Sequence, residues 1–251
     1  MTEAPTPDDA ARPAPYPLPD PATIGEEHHD VTGGWLRPAV FGASDGLVSN
    51  FALIMGMAGG TSDPTPVIVA GVAGLAAGAF SMAVGEYTSV ASQAELARAE
   101  VSRERRQILR DDAQEQAELA SMFVAKGVDE DVAREVAEQI HSDPDNAVRV
   151  HAREEFGIDV TDLPSPMLAA VSSFLSFALG ALIPLLPLML GITSLGPTVA
   201  ASLVALFGTG ALVTALTDRP WWFGGLRQLV LGSAAAALTF GIGGLVGGIT
   251  D

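Results

Sequence analysis

The chain has no cysteine among its 251 residues, which excludes disulfides, thiolate metal sites and cysteine nucleophiles together. Any metal it binds must be held by oxygen, imidazole or thioether. Basic charge is scarce, thirteen Lys and Arg against thirty Asp and Glu, for a net charge of −17. A polyanion is a poor partner for nucleic acid and attracts cations instead. No nucleophile–base pair and no phosphate-binding loop is visible, so an enzyme is the least supported class. The apolar stretches lack the two-residue alternation of a membrane β-barrel. The first 33 residues are polar and Pro-rich, without the apolar core of a cleavable signal.

What the chain does have is long uncharged runs. They cover 64–85, 163–217 and 228–250, and 38–60 is broken only by Asp45. Runs of 22 or 23 residues cross a ~30 Å hydrocarbon core as helices. The 55-residue run holds two spans, with Pro184, Pro187, Gly191, Gly196 and Pro197 supplying a break between them. The expected fold is therefore all-α and polytopic, with five transmembrane helices near 36–59, 67–92, 167–190, 198–217 and 226–249. Mean hydropathy of +0.33 agrees with a helical membrane protein.

All thirteen basic residues fall on one side of that map. The positive-inside rule places the N-terminus and the 93–162 segment in the cytoplasm and the C-terminus outside. Arg outnumbers Lys twelve to one, and with abundant Ala this points to a GC-rich bacterial gene and hence a bacterial plasma membrane. Trp221, Trp222 and Phe223, beside Arg219 and Arg227, read as interfacial anchors. Glycine pairs four apart (Gly42/Gly46, Gly56/Gly60, Gly74/Gly78, Gly244/Gly248) suit close helix packing or dimerisation.

Four regions follow: a disordered acidic tail over 1–33, spans 1 and 2 over 34–92, a small helical cytoplasmic domain over 93–165, and spans 3 to 5 over 166–251. The 26–30 cluster of acids and histidines in the tail reads as a solvated charged segment. Span 2 has no stop at its cytoplasmic end, so one helix continues to Arg110. Asp112 and Glu115 then read as a capping box, with Gly127 ending that helix. Asp129 opens a third helix, and Asn146 or a neighbour a fourth that Gly157 closes. Leu119, Met122 and Phe123, then Val132, Val136 and Ile140, then Val148, Val150 and Phe156 form the expected shared core.

Asp45 is the one ionisable residue well inside span 1, and a carboxylate there must face a partner or a polar cavity. It can serve as cation or proton carrier, or be a structural Asp bonded to Ser44 or Ser49. Glu86 is its counterpart on span 2. Met82, one turn before Glu86, adds a thioether beside a carboxylate, a donor mixture favouring a borderline transition ion over Mg²⁺ or Ca²⁺; a Met there is also an ordinary packing residue. In the 93–162 segment, Glu100, Glu104, Gln107 and Asp111 form one helical stripe. Glu115 and Glu118 are a turn apart, and His151 and Glu155 share a face with Glu154 adjacent. Carboxylates on facing helices with an occasional imidazole build oxygen-rich metal sites. The same acids interleave with Arg98, Arg103, Arg105 and Arg106, as a salt-bridged solvated surface would.

The strings Gly42-Ala-Ser-Asp-Gly-Leu-Val-Ser-Asn50 and Ala79-Phe-Ser-Met-Ala-Val-Gly-Glu-Tyr-Thr-Ser89 resemble the signatures of the vacuolar iron transporter (VIT) family. The Glu/Arg-rich helix that follows and Pro184-Leu-Leu-Pro187 look like that family too, so the likeness covers about 35–250. The resemblance implies a five-span homodimer exchanging cytosolic Fe²⁺ for protons, with a helical cytoplasmic metal-binding domain between spans 2 and 3. Asp45 and Met82 match the family's intramembrane transport residues, and Glu86 stands where the plant pattern has a small residue. Glu100, Glu104, Glu115, Glu118 and Glu155 match or adjoin its metal-binding glutamates. His151 and Ala152 stand where plant members place methionines, and Gly34 and Pro38 near where they carry acids. No ferritin-like extension is seen.

The function expected is proton-coupled export of a divalent metal, Fe²⁺ first and Mn²⁺ second, with no permanently bound cofactor. Asp45, Met82 and Glu86 would line the pathway. Glu100, Glu104, Asp111, Glu115, Glu118, His151, Glu154 and Glu155 would gather the ion. The rivals are a membrane-anchored metal-binding or sensing protein without transport, and a proton-coupled carrier of an organic solute.

Overall fold

Helix boundaries follow the local chemistry closely. The computed structural model describes residues 34–215 and 219–250; the tail and its 26–30 cluster lie outside them. Among the described residues there are eight helices and no strand: α1 (Leu36–Gly60), α2 (Pro64–Arg110), α3 (Asp112–Ala125), α4 (Glu130–His141), α5 (Pro144–Phe156), α6 (Pro166–Met189), α7 (Leu195–Ala215) and α8 (Trp221–Thr250). Five of these, α1, α2, α6, α7 and α8, are long and apolar enough to cross a membrane. Asp63, Asp111, Asp129, Asp143 and Ser165 each accept a backbone N–H as N-caps of α2 to α6. Pro occupies the first helical turn of α2, α5 and α6, where its missing N–H costs nothing. Gly157 closes α5 in the left-handed region, with φ of 66°.

Two boundaries differ from expectation, at α3 and α8, while α6 ends within a residue of the expected 190. The cap of α3 is Asp111, whose carboxylate accepts from Gln114 N at 3.3 Å; Asp112 stands inside the first turn and is free to bond elsewhere. α6 runs through Pro184 and Pro187 to Met189, and the chain turns only at Gly191, with φ of 83°. Each proline removes one i→i−4 bond, leaving the Gly180 and Ile183 carbonyls without their helical donor. α8 begins at Trp221, so the three aromatics are its first turn and not a loop.

In the membrane bundle α1 is the central helix, packed by α6, α8, α2 and α7. The four-apart glycines explain how. A methyl group on Gly42 or Gly46 would overlap the α6 backbone at Ser173 or Phe177, and one on Gly180 would overlap the Ala43 carbonyl. Gly59 and Gly60 meet Phe240 and Gly243 of α8 in the same way. These small residues therefore serve packing within the chain, letting backbones approach where hydrocarbon provides no hydrophobic drive. Leu47, Phe51, Leu206 and Ala236 fill one side of α1. Ile54, Val67, Leu185 and Leu188 fill another.

α2 is 47 residues long, about 70 Å at 1.5 Å per residue, so its polar half stands clear of the apolar bundle. α3 and α5 pack on that half, and α4 packs on α3 and α5. The cores here are built from small residues: Leu119, Ala120, Ala133 and Ala137 between α3 and α4, and Ile108, Ala147 and Val148 between α2 and α5. The expected stripe on α4 is corrected by one position. Val132 is 51% exposed and Val136 37%, while Ala133, Ala137 and His141 are buried. Alanines let α3 and α4 approach closely, and that contact rotates α4 so that His141 points inward. Phe156, also expected in the core, is 36% exposed.

Candidate metal centre and membrane cavity

The rotated α4 and the α2 extension bring one acid from each of two helices against two imidazoles. Glu104, Glu115 and His151, from α2, α3 and α5, are 2%, 4% and 0% exposed. Each offers one ligand atom within 4.8 Å of the others'. His151 Nδ1 lies 3.0 Å from Glu104 Oε1, and neither atom has a further hydrogen-bond partner. Buried acceptors are seldom left without a partner, and a cation held by both atoms would supply one. On its other edge, His151 Nε2 lies 3.0 Å from His141 Nε2. His141 Nδ1 lies 2.7 Å from Asp112 Oδ1.

The electrostatics agree with a cation-seeking pocket. Glu104, beyond the membrane half of α2, has its carboxyl pushed up to about 7, first by burial and then by Glu155, Glu115 and Glu118. Burial, then Glu118, raises Glu115 and Glu155. Burial, followed by His141, lowers His151 to about 4, keeping its ring neutral at physiological pH. Glu104, Glu115 and Glu155, whose proton affinity is raised by burial and by one another's or Glu118's charge, form with the neutral imidazole a hard-oxygen site with one nitrogen donor.

The other sequence candidates are placed differently. Glu118 and Glu155 act on Glu104 through charge, and Glu100 acts on Glu155 while pairing with Arg103 at 2.9 Å. Glu154 turns to an ion pair with Lys126. Asp111 is engaged as the α3 cap. His141 and Asp112 were missed as site residues. The available signal was that 141 and 151 are the only histidines of the 93–162 segment.

Inside the bundle, a cavity of about 330 Å³ between α1 and α2 is lined by Asp45, Ser49, Asn50, Ser81 and Met82 among others. Asp45 and Met82 thus line the same cavity. Ser49 Oγ donates to the Asp45 backbone carbonyl at 2.6 Å, so the reading in which Ser49 neutralises the carboxylate is not what is found. Asn50, not anticipated, donates from Nδ2 to the Ala181 carbonyl at 2.7 Å and leaves its side-chain oxygen unpartnered. Glu86 lines a separate cavity with Ser44, Arg37 and Arg227. Four residues beyond Met82 on a helix is about 6 Å of axial travel, enough to set it apart.

Five apolar spans carrying a polar four-helix platform define a polytopic helical membrane protein. The VIT family model matches residues 36–244. A vacuolar iron transporter of Acanthamoeba castellanii is 35% identical over 228 residues, 89% of this chain and 84% of that protein. Vacuolar iron transporter homolog 1 of Arabidopsis thaliana is 34% identical, with 85% of this chain and 84% of that protein covered. Vacuolar iron transporter 1 of Oryza sativa is 29% identical, with 86% and 87% covered. The chain belongs to the VIT family.

Proposed function

We propose that the protein moves Fe²⁺, and secondarily Mn²⁺, out of the cytosol in exchange for protons. The observation that carries this is the buried Glu104–Glu115–His151 group with its two unpartnered, adjacent acceptor atoms, in a chain whose relatives are named vacuolar iron transporters. The platform captures the ion on the cytoplasmic side, which the one-sided distribution of Arg supports. The ion then passes Asp45 and Met82 between α1 and α2. Carboxylates that must lose a proton to bind metal exchange one for the other, which is the basis of the coupling. The membrane is a bacterial plasma membrane on this reading.

The working unit is a homodimer. Asp45 and Ser49 are exposed on the open side of α1, and a carboxylate at membrane depth needs cover from protein or water. A second copy against α1 and α2 provides it and encloses the cavity.

Fe²⁺ entry into proteoliposomes under an imposed pH gradient tests the proposal, with Asp45→Asn as the control. Gradient-driven flux that the substitution abolishes supports it. Tight metal binding with no flux in either protein points instead to a membrane-anchored sensor or buffer.

A further inference from the structure

His151 has two ring nitrogens, and its fold neighbours treat them unequally. We propose that Asp112 and His141 are positioning residues that commit His151 to bind the metal ion through Nδ1. This rests on the reading of the platform as a metal centre and adds what orients its one nitrogen donor.

The chain of contacts starts at the surface. Asp112 is about half exposed, and an ionised carboxylate offers acceptors only. Its Oδ2 accepts from Gln116 Nε2 at 2.8 Å, which pins the group, and its Oδ1 lies 2.7 Å from His141 Nδ1. The proton of His141 is therefore held on Nδ1. In the neutral ring Nε2 is then a lone pair, and it lies 3.0 Å from His151 Nε2. Only one hydrogen fits between those two nitrogens. With His141 accepting, His151 carries that hydrogen on Nε2 and presents a lone pair at Nδ1.

That nitrogen lies 3.0 Å from Glu104 Oε1, beside it and out of line for a hydrogen bond between them, in a pocket where His151 is fully buried. Two adjacent acceptors with no other partner are neighbouring ligands for one cation. His141 itself is not a ligand, since both of its ring nitrogens are engaged by Asp112 and His151. Its task, with Asp112, is that of the outer partner that fixes a metal-binding histidine's tautomer and ring angle. The pair belongs to different helices from the ligands it serves, apart from Glu115 on α3. Metal binding thereby ties α4 to α2 and α5.

The test uses the full-length protein in nanodiscs with ¹⁵N-labelled histidine. The chain has four histidines, two of them at 28 and 29, so the spectrum is simple. Zn²⁺ alone is the diamagnetic probe. The expected result is a Zn²⁺-dependent shift at His151 Nδ1, a proton retained on His151 Nε2, and a proton retained on His141 Nδ1. Asp112→Ala should weaken Zn²⁺ binding about 10- to 100-fold. Asp112→Asn keeps an oxygen acceptor and should recover most of that loss, which a purely electrostatic role for Asp112 would not allow. Coordination through His151 Nε2, coordination by His141, or unchanged affinity in Asp112→Ala each overturns the positioning role while leaving the metal centre standing. No Zn²⁺-dependent shift at His151 in the wild-type protein overturns the metal centre itself, and the inference with it.

Discussion

The membrane cavity and the extramembrane cluster hold similar donors under opposite rules. The cavity sets one carboxylate, a thioether, hydroxyls and an amide around an open volume of about 330 Å³, and Asp45 is exposed. The cluster packs Glu104, Glu115 and His151 at under 5% exposure each, with Glu118 and Glu155 raising the proton affinity of Glu104. A pathway must bind weakly enough to release its ion, whereas a capture site gains from donors fixed in advance. On the proposed reading, the same chemistry would serve transit where it is loose and capture where it is buried.

The largest expected effect separates the two directly. Asp45→Asn, which removes the only carboxylate among the described residues lining the cavity, should reduce Fe²⁺ flux by about 100-fold, about 2.7 kcal/mol. Metal binding by the cluster should stay within twofold. A parallel loss of binding would show that the regions are one site in function. Next in size, Glu104→Gln should weaken metal binding by roughly 100-fold, about 2.7 kcal/mol. Flux should then fall at low metal and recover near saturation. An equal loss of maximal flux would make the cluster part of the pathway.

How legible each region was in the sequence depends on how local its signals are. The five spans follow from uncharged runs, and most helix starts from Asp or Ser caps, because those are decided within a few residues. Asp45 and Met82 line one cavity because a short hairpin joins α1 to α2. Tertiary packing overrode local pattern elsewhere. The valines of α4 suggest one face, but Ala133 and Ala137 allow the closer approach and win, which turns His141 inward. Asp112 reads as a cap until Asp111 takes that role. The Asp112–His141–His151 chain spans three helices, so no spacing rule within one helix could reveal it. Glu86 looks like a third pathway donor by spacing, yet its cavity is shared with Arg37 and Arg227.

A smaller effect tests the electrostatics of the cluster through pH. Glu104, raised from 4.5 to about 7, favours the folded state below about 4.5, and that contribution is lost as pH rises through 7. His151, lowered from 6.5 to about 4, acts oppositely: its contribution is present above 6.5 and is lost as pH falls toward 4. In metal-free wild-type protein the two contributions largely offset across pH 4.5–6.5. His151→Gln should expose the Glu104 dependence, a fall in stability between pH 4.5 and 7. Glu104→Gln should leave stability that rises over pH 4–6.5. Hydrogen exchange at the α2–α5 contact, around Ala147 and Val148, measures both slopes. The same sign in the two variants would show that the groups are not adjacent as described.

The smallest effect expected marks the edge of the buried cluster. Glu154 is adjacent to Glu155 and looks from spacing like one more ligand. Its carboxylate is instead paired with Lys126, which is 55% exposed, and a pair that open to water contributes about 1 kcal/mol or less. Glu154→Gln should therefore change metal affinity by less than twofold and stability by no more than about 1 kcal/mol. Glu155→Gln should cost clearly more affinity, because Glu155 is the largest charge influence on Glu104. Isothermal titration of the two variants side by side decides the matter. Equal losses would mean that Glu154 leaves Lys126 when metal binds, and that the capture site extends beyond its buried group.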